Sequence, residues 1–278
     1  MHIQWYPGHM TKAIRRMEED VKLVDAIIYV LDSRAYKACF NPSFEKIGAN
    51  KPRLYVLNKV DTIETSDMDR IVADLKSEGK VVVTTNSTTS RFARDVIVGL
   101  TTILQDKIEH FKAKGLRKTL RAMVIGVPNT GKSTLINSLC GSKRTITGNR
   151  PGVTRGKQWV SVSEYIDVLD TPGTLWPSFE NQEYAKHLAY IGCIKDDVVG
   201  KEELCLEFIK DMMASRPDIL ENRYNISISA DSLPIEIYES IAKSRGFILK
   251  GGDYDYDRTA TAVLDDFRKQ RMGKVALE

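Results

Sequence analysis

Cysteine is scarce in this chain and carries no pattern. The four, Cys39, Cys140, Cys193 and Cys205 among 278 residues, fall at no spacing used by zinc or redox sites. That argues against a disulfide framework and against a zinc finger, and predicts reduced thiols in a cytoplasmic protein. No apolar run is long enough to span a bilayer, and the first residues lack the apolar core of a secretion signal. No internal repeat and no low-complexity tract is present. Neither sign of charge dominates: the net charge is +4 and the pI about 8.7, which permits contact with nucleic acid without requiring it. What remains is an ordinary globular composition, with 42% hydrophobic and 28% charged residues, in a chain long enough for a large domain and a smaller one.

One stretch organises the rest. Gly126 to Ser133 reads Gly-Val-Pro-Asn-Thr-Gly-Lys-Ser, the phosphate-loop pattern. An apolar run, Met123-Val124-Ile125, precedes it as a strand would, and Thr134 to Leu139 follows with the character of a helix start. Glycines at 126 and 131 let the backbone N–H groups turn inward on phosphate oxygens, and the helix start adds its positive dipole end. Asn129, Thr130, Gly131, Lys132, Ser133 and Thr134 form the expected phosphate contacts. Lys132 neutralises β/γ-phosphate charge, and the Ser133 hydroxyl is a Mg²⁺ ligand.

Upstream, three apolar runs read as strands: 26–31, 53–57 and 81–84. With intervening helices they predict a parallel sheet covered on both faces. The second run ends in Asn58-Lys59-Val60-Asp61, the pattern that reads guanine. The Asp61 carboxylate can accept from guanine N1–H and the 2-amino group, donors that adenine lacks there. Lys59 can lie along the base plane, and Asn58 can tie the base loop to the phosphate loop. A strand-end turn rich in Asn and Asp is the bland alternative. Residues 91–111 read as one long amphipathic helix, followed by the basic cluster Lys112, Lys114, Arg117, Lys118 and Arg121, best read as a solvated linker.

Downstream, 158–162 and 165–169 suit a β-hairpin ending in Asp170-Thr171-Pro172-Gly173, the D-x-x-G pattern. Asp170 can hold Mg²⁺ through water, the Gly173 N–H can sense the γ-phosphate, and Thr154 is the natural second hydroxyl on the metal. These parts stand in rotated order, with the base half first and the phosphate half second. A circular permutation preserves the fold when termini lie close together.

In this order the residues resemble the circularly permuted GTPases of the ribosome biogenesis GTPase A type. The resemblance spans nearly the whole chain: Trp5 to Met10, Asp32-Ser33-Arg34, Asn58 to Asp61, Asn86-Ser87, Gly126 to Ser133, Pro151 to Arg155, Asp170 to Gly173 with Leu175-Trp176-Pro177, Phe267-Arg268 and Leu277-Glu278. It implies a Ras-like P-loop sheet in permuted order over residues 1–177 and an all-α, RNA-binding domain over 178–278. It implies GTP hydrolysis in late assembly of the large ribosomal subunit, with rRNA and the subunit precursor as partners, and a monomer when free. Asn86 and Ser87 would belong to the last base loop. His9, by itself an unremarkable loop histidine ahead of a helix, would position or deprotonate the attacking water, since Thr174 stands where conventional GTPases carry Gln. Asn129 would help hold K⁺ against the phosphates. Thr174 also replaces the family's usual aliphatic residue, 35–40 diverge from its proline-containing loop, and 86–88 lack its glycine.

From 178 onward helical stripes such as Leu204, Phe208, Ile209 and Met212 predict a helical core. Arg258, Arg268, Lys269, Arg271 and Lys274 give the last helix a basic side suited to rRNA phosphates. Two other readings stay open from sequence alone: a nucleotide-dependent ribosome-binding module in which hydrolysis is incidental, and an ATP-using kinase.

Overall fold

The computed structural model describes residues 2–4, 8–86, 93–140, 146–147, 159–177 and 179–278. They form two compact units. One comprises Tyr6–Pro177 with Ala276–Glu278, the other Met1–Trp5 with Ser178–Val275.

The first unit is built on a seven-stranded sheet. Its strands are β1 (Ala26–Asp32), β2 (Arg53–Asn58), β3 (Val81–Thr85), β4 (Leu120–Ile125), β5 (Ile146–Thr147), β6 (Trp159–Ser163) and β7 (Ile166–Asp170). Their order is β3-β2-β1-β4-β7-β6-β5. β3, β2, β1, β4 and β7 run parallel, while β6 and β5 join antiparallel. β1 is buried at every position and β2 at all but its first, because helices cover both faces of a parallel sheet. Those helices are α1 (Gly8–Asp20), the short α2 (Pro42–Lys46), α3 (Thr65–Ser77), α4 (Ala93–Ile103), α5 (Gln105–Ala113) and α6 (Lys132–Cys140). Val96, Leu100 and Leu104 pack on Ile28, Val56 and Val124 in one continuous core.

Two expectations need correction here. The helix foreseen over 91–111 is broken at Leu104, whose φ of −108° and ψ of 6° leave helical geometry. Leu104 is buried at the break, so packing against the sheet overrides continuous helical spacing. His9 lies inside the first turn of α1, which starts at Gly8, and not on a preceding loop.

The second unit is helical, as foreseen. It contains α7 (Gln182–Tyr190), the short α8 (Asp196–Val199), α9 (Lys201–Ser215), α10 (Pro217–Tyr224), α11 (Pro234–Arg245) and α12 (Tyr256–Arg268). Leu204, Phe208, Ile209 and Met212 of α9 are buried, and so are Ile237 and Ile241 of α11 and Val263 and Phe267 of α12. Arg268 does not belong to a basic outer side. It is half-buried, donates to the Ala189 and Tyr190 carbonyls and grips Asp196 at 2.6 and 2.7 Å. Among the described residues no helix is long and apolar enough to cross a membrane.

A buried carboxylate at the end of β1 supports the turn at Asn58 to Asp61. Asp32 is fully buried. It accepts from Arg34 Nε at 2.9 Å and Arg34 Nη2 at 2.8 Å, and pairs with Lys59 Nζ at 2.8 Å. Ser33 Oγ donates to the Lys59 carbonyl at 2.8 Å. The next residues are fixed by Leu277 and Glu278: Leu277 N–H donates to Arg34 O at 2.8 Å, and the Glu278 carboxylate accepts from the N–H groups of Lys37 and Ala38. Burial would raise the Asp32 pKa, but the Arg34 guanidinium and Lys59 ammonium hold it well below the usual carboxylate range. Elsewhere in this unit, the Thr174 carbonyl accepts from Asn41 Nδ2 at 3.2 Å, while its own hydroxyl is buried and makes no hydrogen bond among the described residues.

These buried groups set two expected outcomes. Because the Asp32 carboxyl is depressed in the folded state, its contribution is complete above about pH 4 and is lost as pH falls below that value. Urea midpoints of the wild type should therefore drop more steeply between about pH 5 and pH 2 than those of Asp32→Asn, which should be the weaker protein at pH 7 by about 3 kcal/mol. Parallel profiles would contradict the pairing. Thr174→Val removes an unsatisfied hydroxyl with almost no change of shape, so it should raise stability by about 1 kcal/mol; a lower urea midpoint would show that the hydroxyl has a partner.

Candidate functional site

The parallel strands place their carboxyl ends along one edge, where ligands of open α/β sheets bind. β4 feeds the phosphate loop, β7 the D-x-x-G segment, β2 the guanine-type turn and β3 the segment beginning at Asn86. Asp32 of β1 stands in register with Asn58 of β2, and Asn58 with Thr85 of β3.

The base turn and the phosphate loop touch directly. Asn58 Nδ2 donates to the Thr130 carbonyl at 2.7 Å, and Lys59 Nζ donates to the Asn129 carbonyl at 2.8 Å. Thr85 Oγ1 donates to Asn58 Oδ1 at 3.0 Å, which fixes the amide so that its NH₂ faces the phosphate loop. Lys59 and Asn129 both adopt left-handed backbone, with φ of 62° and 60°. The strain at Lys59 is offset by the Asp32 ion pair and by two hydroxyl donors on its carbonyl, Ser33 and Thr62. Asp61 is exposed in the 3-10 turn Val60–Thr62, reachable by a ligand.

The phosphate cleft, about 610 Å³, is lined by Asn129, Gly131, Lys132, Ser133, Thr134 and Asp170 together with 171–173 and Pro128. Lys132 is the first residue of α6, and its ammonium donates to the Val127 carbonyl at 2.8 Å. Thr130 faces inward: its hydroxyl donates to the Val127 carbonyl at 3.0 Å, so it serves the loop through the backbone. Gly173 must be glycine. A Cβ there would come within 2.7 Å of Lys132 Nζ and of Pro128 Cα. The D-x-x-G backbone therefore lies on the phosphate loop itself. Gly126 is similarly closed in, with the Val30 carbonyl 2.6 Å from where a Cβ would stand.

Ser133 Oγ donates to Asp170 Oδ2 at 3.1 Å, and Asp170 Oδ1 is buried without a hydrogen bond among the described residues. A buried, unsatisfied carboxylate oxygen beside a hydroxyl is a donor set that suits a hard divalent cation such as Mg²⁺. Met10 is buried, and its sulfur accepts from the Leu175 N–H at 3.4 Å. The start of α1 thus meets the residues just past Gly173, with His9 exposed beside it. Asn86 is half-buried just past β3. Thr154 and Ser87 lie outside the described residues.

Sequence reasoning places Asp32, Ser33 and Arg34 at a strand end and in the resemblance, but misses that Asp32 and Ser33 hold Lys59. The available signal was an Asp ending a wholly apolar strand, where a buried charge requires partners.

Residues 121–214 match the family model described as a 50S ribosome-binding GTPase. The chain is 37% identical to the ribosome biogenesis GTPase A of Bacillus cereus, an alignment covering 100% of this chain and 94% of that protein. It is 31% identical to the protein of that name from Thermotoga maritima, over 99% and 94% of the two chains. Among solved structures, GDP-bound YlqF superposes with a TM-score of 0.68 at 25% identity, covering 95% of this chain and 98% of the other. GNP-bound YlqF from T. maritima gives 0.66 at 26% identity, covering 96% and 97%. Relatives at this level, a permuted P-loop sheet and a joined base and phosphate site place the chain in the ribosome biogenesis GTPase A family, a GTP hydrolase of ribosome assembly.

Proposed function

We propose that the protein uses its nucleotide state to bind, and then leave, a precursor of the large ribosomal subunit late in assembly. The observation that carries this reading is the junction of three loops at one cleft: Asn58 and Lys59 bond to the carbonyls of the phosphate loop, and Gly173 is pressed against Lys132. A change at the γ-phosphate is therefore felt at once by the D-x-x-G segment and by the base turn.

Asp61 selects guanine by accepting its N1–H and 2-amino donors. Asn129, Thr130, Gly131 and Lys132 cradle the phosphates, with Ser133 and Thr134 at the helix start, and Asn86 and Ser87 belong to the last base loop. Ser133, Thr154 and, through water, Asp170 would hold Mg²⁺, which would supply positive charge to offset that of the phosphates. Asn129 would help hold K⁺, whose charge would take the part an arginine plays in other GTPases. The Gly173 N–H reads the γ-phosphate. His9 orients a water in line with the γ-phosphorus and relieves it of a proton as the P–O bond to GDP breaks. The contact of Met10 with Leu175 supports this placement, because it ties the His9 turn to the switch. The exposure of His9 supports slow turnover by the free protein and faster turnover once rRNA orders this turn. The helical unit supplies the RNA-binding surface. The protein works as a monomer in the cytoplasm.

Two outcomes test this reading. On sucrose gradients the protein should co-migrate with large-subunit precursors several-fold more in a non-hydrolysable GTP analogue than in GDP; equal retention would overturn the nucleotide-dependent cycle. His9→Ala should lower particle-stimulated kcat by about 100-fold or more with little change in KM for GTP. An unchanged stimulated rate would remove His9 from the mechanism.

A further inference from the structure

The helical unit contains a cleft of about 480 Å³ where α10, α11, α12 and the turn after α12 converge. Its wall carries Arg223, Arg245, Arg258 and Arg271, with Phe247 and the carboxylate of Asp266. Arg258 and Arg271 belong to the basic side read from sequence, whereas Arg223 of α10 and Arg245 and Phe247 at the end of α11 join them only through the fold.

Asp266 is the anchor. Its side chain is 5% exposed, and Arg223 grips it with both arms at 2.8 and 3.0 Å. Arg271 adds a bond at 3.0 Å, Tyr224 one at 3.2 Å, and Arg245 lies 3.7 Å away. One carboxylate has room for about four such donors, whereas each guanidinium brings about five N–H groups. Much of the donor capacity of these arginines is therefore left over. Arg223, Arg245 and Arg271 remain 29%, 33% and 47% exposed. The other carboxylates of the cleft are already engaged: Asp265 by Lys269 and Arg271, Asp257 by Lys201. Cations therefore outnumber the carboxylates they face.

Two of the guanidiniums also lie over aromatic rings. Arg245 lies 5.1 Å over the Tyr224 ring, and Arg258 lies 4.5 Å over the Phe247 ring. The aromatic contacts restrict these two side chains, and a guanidinium so held can still offer N–H groups for bidentate contact with an oxyanion. The Arg258 guanidinium over Phe247 is a planar cation next to an aromatic ring, groups on which an unpaired base can stack.

We infer that this arginine cleft is a binding site for the sugar-phosphate backbone of an unpaired stretch of RNA, with a base stacked at Phe247 and Arg258. The inference rests on the ribosomal role proposed above and specifies where that contact is made. An acidic protein segment could satisfy the charges, but it would have no use for these stacking groups.

The test uses the full-length protein and a fluorescent single-stranded RNA of about 12 nucleotides, titrated at several salt concentrations. The Arg245→Ala, Arg258→Ala double variant keeps the Arg223–Asp266 anchor. It should bind the RNA at least about 10-fold more weakly, and the slope of log K against log salt should fall by about 0.7 for each phosphate no longer neutralised. Phe247→Leu should weaken binding by about 10-fold with the salt slope unchanged. Basal GTP turnover should be the same in every variant, which also reports that they are folded. RNA binding by the wild type that survives in the double variant with unchanged slope would overturn the cleft assignment and leave the RNA-binding role standing. Failure of the wild type to bind RNA, with arginine-dependent binding of polyglutamate instead, would overturn both.

Discussion

Two hydrogen bonds from side chains of the base turn to carbonyls of the phosphate loop hold the nucleotide unit together as a site. Asn58 reaches the Thr130 carbonyl and Lys59 the Asn129 carbonyl. Each partner is positioned by something else: Asn58 by the Thr85 hydroxyl, Lys59 by the buried Asp32. A purine triphosphate needs donors and acceptors at both ends, and neither loop alone spans it. Chain connectivity does not enforce the junction, since the base turn and the phosphate loop lie about seventy residues apart in sequence. Backbone carbonyls accept these bonds, so the junction does not depend on which side chains the phosphate loop carries at 129 and 130.

The same dependence explains why the strand order can rotate without loss. β4, carrying the phosphate loop, lies between β1 and β7, and the base-reading strands continue outward from β1. Nothing in that arrangement requires β4 to be first. The permuted order makes the D-x-x-G segment the exit from the nucleotide unit, with Gly173 packed on Lys132 and Leu175 bonded to Met10.

Short-range signals were legible because they are chemical. Gly126 to Ser133, Asn58 to Asp61 and Asp170 to Gly173 each combine a residue set with a strand end, and the buried strands announce themselves as unbroken apolar runs. Features that depend on distant partners were not legible. Leu104 reads as one more turn of a helix, and only its burial against the sheet reveals the break. Arg268 reads as surface charge, yet Asp196 and two carbonyls claim it. Asp32 shows no function until Lys59 is placed beside it. Thr130 reads as one of the phosphate-loop contacts, while its carbonyl also joins that loop to Asn58. In each case the deciding partner sits tens of residues away or in another element, where periodicity and motif spacing carry no information.

The nucleotide unit takes Ala276–Glu278 from the far end of the numbering, and these residues bond to Arg34, Lys37 and Ala38. Arg34 is in turn a partner of Asp32, which steadies Lys59. During translation, the strands, the phosphate loop and the base turn all emerge before this brace exists. A nascent chain can therefore form the sheet early, but the turn at Asn58 to Asp61 gains this support only after the helices Gln182–Tyr190 to Tyr256–Arg268 have been made. A chain cut before Leu277 would carry the same strands and loops without this support beneath Asp32 and Lys59.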